Sequence, residues 1–269
     1  MTISKASDLI AEVRKEAFRK FASAVTPIYA FVEDNDPVLI GTCFAIEYKN
    51  RKFLVTAAHV LDNHKFATLA AGSPSGEFVT IEGHFHMTPP GDSGRKDDPW
   101  DFAWHELTAE EAAKLVCVPE SDLETQSVPG ASQSLYVAIG FPVSKNKKIK
   151  PEHKRARRLA PSPAMYINSG AEASAYFSKR GMSQETNIAI KREGRAYNDN
   201  GQQENTIGHR GLSGGPLINS GLRLPATIDA QKISGIVIEG DDDNQNHTII
   251  VAVRLSVVLQ YIDAADSSD

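Results

Sequence analysis

A chain of 269 residues is long enough to bury a sizeable core, either as one domain or as two small ones packed together. Hydrophobic residues make up 41% of it, which excludes a disordered chain or a fibrous repeat. A formal net charge of −5 excludes an overall basic protein that coats nucleic acid.

In the first segment Leu9, Val13, Ala17 and Phe21 recur every four residues, with Ile10 and Phe18 beside them. Lys5, Glu12, Lys15, Arg19 and Lys20 face elsewhere, so residues 1–24 are predicted to form an amphipathic helix packed on a body. Charge breaks this segment too often for the apolar stretch of ~7–15 residues that a signal peptide needs. No apolar run reaches the ~18–20 residues required to span a bilayer. The expectation is a cytoplasmic chain with no membrane partner. Cys43 and Cys117 then read as two buried thiols in a reducing compartment.

Beyond the helix, residues 27–33, 38–48 and 53–57 are rich in β-branched and aromatic side chains and read as strands. The last two are joined by Lys49-Asn50-Arg51-Lys52, a polar hairpin connection. Further strands are predicted at 78–83, 101–106, 134–140, 164–168, 187–191, 215–218, 233–239 and 248–253. Thr108 to Leu115 opens with Thr108-Ala-Glu-Glu111, a capping-box pattern, and Leu255 to Ile262 forms a closing helix. Many short strands and few helices point to barrels or sandwiches. Residues 145–158 hold eight Lys/Arg against one Glu between prolines, which reads as a solvated surface excursion. Its other reading is a docking patch for an acidic partner or nucleic acid, although it lacks the aromatics that base stacking uses.

Three stretches carry chemistry. Ser213 lies in Gly211-Leu212-Ser213-Gly214-Gly215-Pro216, followed by the apolar Leu217-Ile218. A serine hydroxyl is a weak nucleophile, so it needs a general base and donors for an oxyanion. His59 ends the apolar stretch Leu54-Val55-Thr56-Ala57-Ala58-His59. Asp101 sits among bulky groups in Pro99-Trp100-Asp101-Phe102-Ala103-Trp104, where a carboxylate needs a dedicated donor. An imidazole N–H is such a donor, and the carboxylate would fix its tautomer. Gly91-Asp92-Ser93-Gly94 spells a second serine motif, but it stands in a loop of Pro, Gly and Asp, and Ser93 reads as a turn residue.

TAAH, then Asp-apolar-Ala, then GxSGGP, in the chain order His, Asp, Ser, resembles the trypsin/chymotrypsin superfamily of serine peptidases. The resemblance implies an all-β chain of two six-stranded antiparallel β-barrels, chymotrypsin-like, with an N-terminal and a short C-terminal helix. It places the first barrel at 25–120 with His59 and Asp101, and the second at 121–269 with Ser213. It implies Ser213 as nucleophile, His59 as base then acid, Asp101 as orienting carboxylate, and the N–H groups of Gly211 and Ser213 as oxyanion hole. No metal or organic cofactor is implied, and the partner is a protein or peptide substrate.

Leu212 stands where zymogen-activated relatives carry an aspartate, and Val60 where they carry a cysteine after the histidine. Both departures resemble the disulfide-free HtrA-type bacterial protease domain, and activation by N-terminal cleavage is not expected. By the same resemblance the substrate pocket is lined by Ile207, Ile238, Glu239 and Gly240. Ile207 stands where trypsin-like enzymes keep an aspartate, so a small or apolar side chain is the expected preference. Glu239 and the Asp241-Asp242-Asp243 run read as a solvated turn. The competing readings are a catalytically silent binding or scaffolding module, and an effector switched on by a regulatory protein partner.

Overall fold

The computed structural model describes residues 3–31, 37–62, 67–92, 94–127, 134–143, 146, 161–193, 195–197, 203–205, 211–223, 227–228, 230–240 and 249–267. Among the described residues the chain is mostly β, with two large, mainly antiparallel sheets, a two-stranded ribbon and helices at both ends. Helix α1 (Ile3–Phe21) buries Val13, Ala17 and Phe21, while Leu9 packs at the edge of the core. Burial of Phe21 alone stabilises the docked helix by about 2–3 kcal/mol. The buried stripe is narrower than its periodicity suggested, because Ile10 and Phe18 flank it and stay 44% and 46% exposed. Lys20 is a tether rather than a solvated charge. Its Nζ donates to Gln231 O at 2.8 Å and pairs with Asp122 at 2.8 Å.

The first sheet is built from β1 (Val25–Phe31), β2 (Val38–Tyr48), β3 (Arg51–Ala57), β4 (Thr68–Gly72), β5 (Phe78–Thr80), β6 (His86–Met87) and β7 (Phe102–Glu106). Its strands run in the order β5-β4-β1-β2-β3-β7-β6, and β8 (Cys117–Val118) pairs parallel to β2. Short helix α2 (Ala58–Asp62) follows β3 directly. The hairpin forms, but its turn is the two residues Lys49-Asn50, both at positive φ, because Arg51 and Lys52 already pair with Tyr48 and Glu47. Strand β4 was not expected, and the thiols differ: Cys43 is fully buried, but Cys117 is only partly so.

Helix α3 (Ala109–Lys114) carries the full capping box, with Glu111 N–H on the Thr108 hydroxyl and Thr108 N–H on the Glu111 carboxylate. Glu111 is buried and also accepts from Glu82 N–H and contacts His105 Nε2 at 3.2 Å. Thr108→Ala is therefore expected to cost about 1 kcal/mol, read as a lower denaturation midpoint with an unchanged slope.

The second sheet contains β9 (Ser134–Gly140), β10 (Ala164–Ser169), β11 (Asn187–Lys191), β14 (Pro216–Arg223), β16 (Lys232–Gly240) and β17 (Ile249–Arg254). Their order is β10-β9-β14-β16-β17-β11, with β15 (Thr227–Ile228) beside β14. An antiparallel bridge, Gly170 to Ile190, links the two ends of that order. Strands β12 (Arg195–Tyr197) and β13 (Gln203–Asn205) form a separate ribbon, and helix α4 (Ser174–Lys179) precedes β11. Helix α5 (Leu255–Asp266) leaves β17 and crosses to the first sheet, where Tyr261 meets Trp100 and Phe102 edge-on at 5.5 and 5.2 Å. One apolar cluster runs through both sheets, from Phe44, Phe53 and Phe102 to Ile139, Ile218 and Val253. A second, smaller cluster sits within the second sheet and includes Leu212. Among the described residues no helix is long and apolar enough to cross a membrane.

Candidate active site

The β3–β7 ladder ends on the pair Ala57 to Phe102, and Ala58 N–H extends it by donating to Asp101 O at 3.0 Å. His59 and Asp101 thus leave the sheet side by side, His59 in the first turn of α2 rather than at the strand end. Asp101 has φ +44°, a left-handed conformation that aspartate tolerates better than most residues. From there its Oδ1 accepts the backbone N–H of His59 at 2.8 Å, and Oδ2 lies 2.6 Å from His59 Nδ1. The approach to Asp101 is held from two sides. Asp98 Oδ1 accepts Trp100 N–H at 3.0 Å, and Asn187 Nδ2 from β11 donates to Pro99 O at 3.0 Å.

Asp101 is only 6% exposed, whereas 36% of the His59 side chain meets solvent. Burial by itself would depress the imidazole, but the hydrogen bond and charge of Asp101, with the charge of Asp62, hold it above its ordinary value. Burial pushes the Asp101 carboxyl up, and the His59 hydrogen bonds and the Arg95 charge pull it part of the way back. With Nδ1–H given to the carboxylate, the Nε2 lone pair is left free to take a proton.

Ser213 reaches this corner through the turn Gly211–Gly214, closed by Gly215 N–H on Leu212 O at 2.8 Å. Gly214 N–H donates to Val237 O at 2.7 Å, and Val237 N–H donates to Gly215 O at 2.8 Å, which fastens the turn to β16. Thr42 of β2 fastens it to the first sheet. Its N–H donates to Ser213 O at 3.1 Å, its hydroxyl donates to Gly211 O at 2.6 Å and accepts Phe141 N–H at 2.9 Å, and its carbonyl accepts the Thr56 hydroxyl at 2.7 Å. Gly214 packs so closely that a Cβ there would lie 3.1 Å from Ala57 N, two residues before His59. Leu212 is 3% exposed and inserts into the second cluster, its Cα and Cδ2 beside Gly140. An apolar anchor of this size contributes about 1.5–3 kcal/mol, so the turn is held without a charged anchor.

No protein-family model matches this chain, and no curated protein matches its sequence. Of the residues singled out in the sequence, His59 and Asp101 are hydrogen-bonded to each other. Gly211 and Ser213 lie on a turn that is fastened to Thr42 and whose Gly214 packs beside Ala57, two residues before His59. Ile238 is 1% exposed in the core, at the register shift between β16 and β17, and the backbones of Glu239 and Gly240 pair with Val251 and Ile250. Ile207, Ser93, the Asp241-Asp242-Asp243 run and, apart from Asn146, the basic segment 145–158 lie outside the described residues. Sequence reasoning missed Thr42, Asn187 and Arg95. The signal for Thr42 was a polar residue inside an apolar strand; for Arg95 it was a cation entering an acidic loop.

Proposed function

We propose that this chain is a serine endopeptidase of the trypsin/chymotrypsin-like superfamily, its two large sheets corresponding to the two barrels of that fold. The observation that carries the reading is the pairing of His59 with Asp101, whose carboxylate takes both the backbone N–H and the ring Nδ1 of the same histidine. A structural histidine has no need of a buried carboxylate on both groups, while a general base gains a fixed tautomer and a stabilised imidazolium from it. The six-strand order of the second sheet and the Gly170–Ile190 bridge support a closed barrel. The Gly211–Gly214 turn suits the nucleophile and its oxyanion donors.

In this mechanism the Ser213 hydroxyl gives its proton to His59 Nε2 as Oγ bonds to the scissile carbonyl carbon. The negative charge on the carbonyl oxygen is met by Gly211 and Ser213 N–H groups. Collapse breaks the C–N bond, the imidazolium protonates the leaving amine, and water repeats the sequence on the ester of Ser213. Among the described residues no hydrogen bond joins Ser213 Oγ to His59, and catalytic hydrogen bonds in free enzymes often form only once substrate is bound.

A fluorophosphonate probe tests this directly. The expected result is one covalent adduct, located on Ser213 by mass spectrometry and absent from Ser213→Ala. Because the imidazole is held above its ordinary value of about 6.5, imidazolium persists to higher pH, and labelling falls away as pH drops through that raised value. Absence of an adduct at every pH would leave the chain without an activated serine and overturn the proposal.

A further inference from the structure

The loop before Asp101 places an arginine behind the catalytic pair, and neither its motif nor its charge suggested that use. Gly94 N–H donates to Gly91 O at 2.9 Å, Asp97 N–H to Gly94 O at 3.1 Å, and Asp98 N–H to Arg95 O at 3.1 Å, so the chain coils tightly around Arg95. A Cβ on Gly91 would sit 2.5 Å from Asp97 Cβ, which shows how little slack the turn has. The Arg95 side chain is 13% exposed. Its Nε and Nη2 form a fork on Asp62 Oδ2 and Oδ1 at 2.9 and 2.8 Å, and Asp62 is the last residue of α2, the helix that carries His59. Its Nη1 donates to Thr88 O at 2.6 Å and to Asp98 Oδ2 at 2.8 Å. Its Nε also lies 3.9 Å from Asp101 Oδ1, the oxygen that receives His59 N–H.

We propose that Arg95 is a positioning residue for His59 and Asp101, tying helix α2 to the Asp98–Asp101 segment and setting the pH at which His59 becomes a base. The proposal rests on the serine-peptidase reading for its catalytic meaning. Three carboxylates, Asp62, Asp98 and Asp101, converge on the one guanidinium, and Asp98 and Asp101 are almost fully withdrawn from water. The charged groups that act most strongly on the imidazole are Asp101, Asp62 and Arg95. The two anions hold a proton on His59, and Arg95 opposes them. Its planar fork also fixes the direction of α2 relative to Asp101, which a lysine cannot do.

The test measures fluorophosphonate labelling rate against pH, together with the ring ¹⁵N titration of His59 by NMR, assigned by its loss in His59→Gln. Wild type is compared with Arg95→Met, Arg95→Lys and Asp62→Asn. Arg95→Met is expected to move the acidic limb and the ¹⁵N midpoint up by about one pH unit and to slow labelling at neutral pH about tenfold. Arg95→Lys returns the midpoint towards wild type, but labelling stays slow because the fork is lost. Asp62→Asn moves the midpoint down. Opposite signs for Arg95→Met and Asp62→Asn cannot come from general loosening of the fold, whereas equal signs, or an unmoved His59, would overturn the proposal. If Arg95→Met does not fold, Arg95→Lys and Asp62→Asn still decide it. A wild type that never labels would sink the peptidase reading, and the NMR titration would still answer whether Arg95 tunes His59.

Discussion

Asp101→Asn is expected to slow fluorophosphonate labelling of Ser213 by about 10³–10⁴-fold while the protein stays folded. The two side chains have the same shape, and asparagine accepts positive φ as readily as aspartate does, so φ +44° is kept. The amide oxygen can still receive His59 N–H, as Oδ1 does now at 2.8 Å. What changes is the atom facing Nδ1 at 2.6 Å. An amide NH₂ there donates, Nδ1 must accept, and the ring proton moves to Nε2, where it blocks the lone pair that should take the serine proton. Stability moves in the other direction or not at all, because burial already disfavours the charged form of Asp101. Thermal melts of the variant should lie at or slightly above wild type. Labelling within tenfold of wild type would mean that the carboxylate does not hold the tautomer.

His59, Asp101 and Ser213 stood out as candidates because each lies in a local pattern that a sequence displays: an apolar strand ending in histidine, a carboxylate among aromatics, a serine among glycines. The strands around them were legible for the same reason, since β2, β3, β7, β9 and β17 are dense in β-branched or aromatic residues. Strand β4 was not, because Thr68-Leu69-Ala70-Ala71-Gly72 has weak strand preference, and it becomes one by pairing with β1 and β5 on both sides. Placement of charges was the least legible feature. Lys20 and Arg95 look like solvated cations in their local sequence, and their carbonyl and carboxylate partners lie on other elements or arrive only when a turn coils back. Leu212 misled differently. As a letter it reads as a lost charged anchor, but in the fold it is an apolar one, buried with Leu217, Val237 and Ile250.

Gly214→Ala is expected to lower stability by about 3–5 kcal/mol and to abolish labelling, whereas Gly181→Ala should cost only about 1–2 kcal/mol and leave labelling unchanged. Both glycines have positive φ, +84° and +66°, so both substitutions carry the backbone strain of the left-handed region. They differ in what the new methyl meets. At Gly181 nothing lies within 4 Å. At Gly214 the Cβ would sit 2.0 Å from Thr42 O and 2.3 Å from Thr56 Oγ1, atoms held in β2 and β3 and unable to step aside. The turn must move instead, and with it go the Gly214–Val237 and Thr42–Ser213 hydrogen bonds that locate the nucleophile. For a chain of this size the loss corresponds to a fall of about 10 °C in the melting midpoint. The comparison separates two explanations of the glycine run. If Gly181→Ala proves as harmful as Gly214→Ala, the run is there for backbone conformation alone. If only Gly214→Ala loses both stability and the adduct, the glycine is there so that the loop carrying Ser213 can lie against the strands leading to His59.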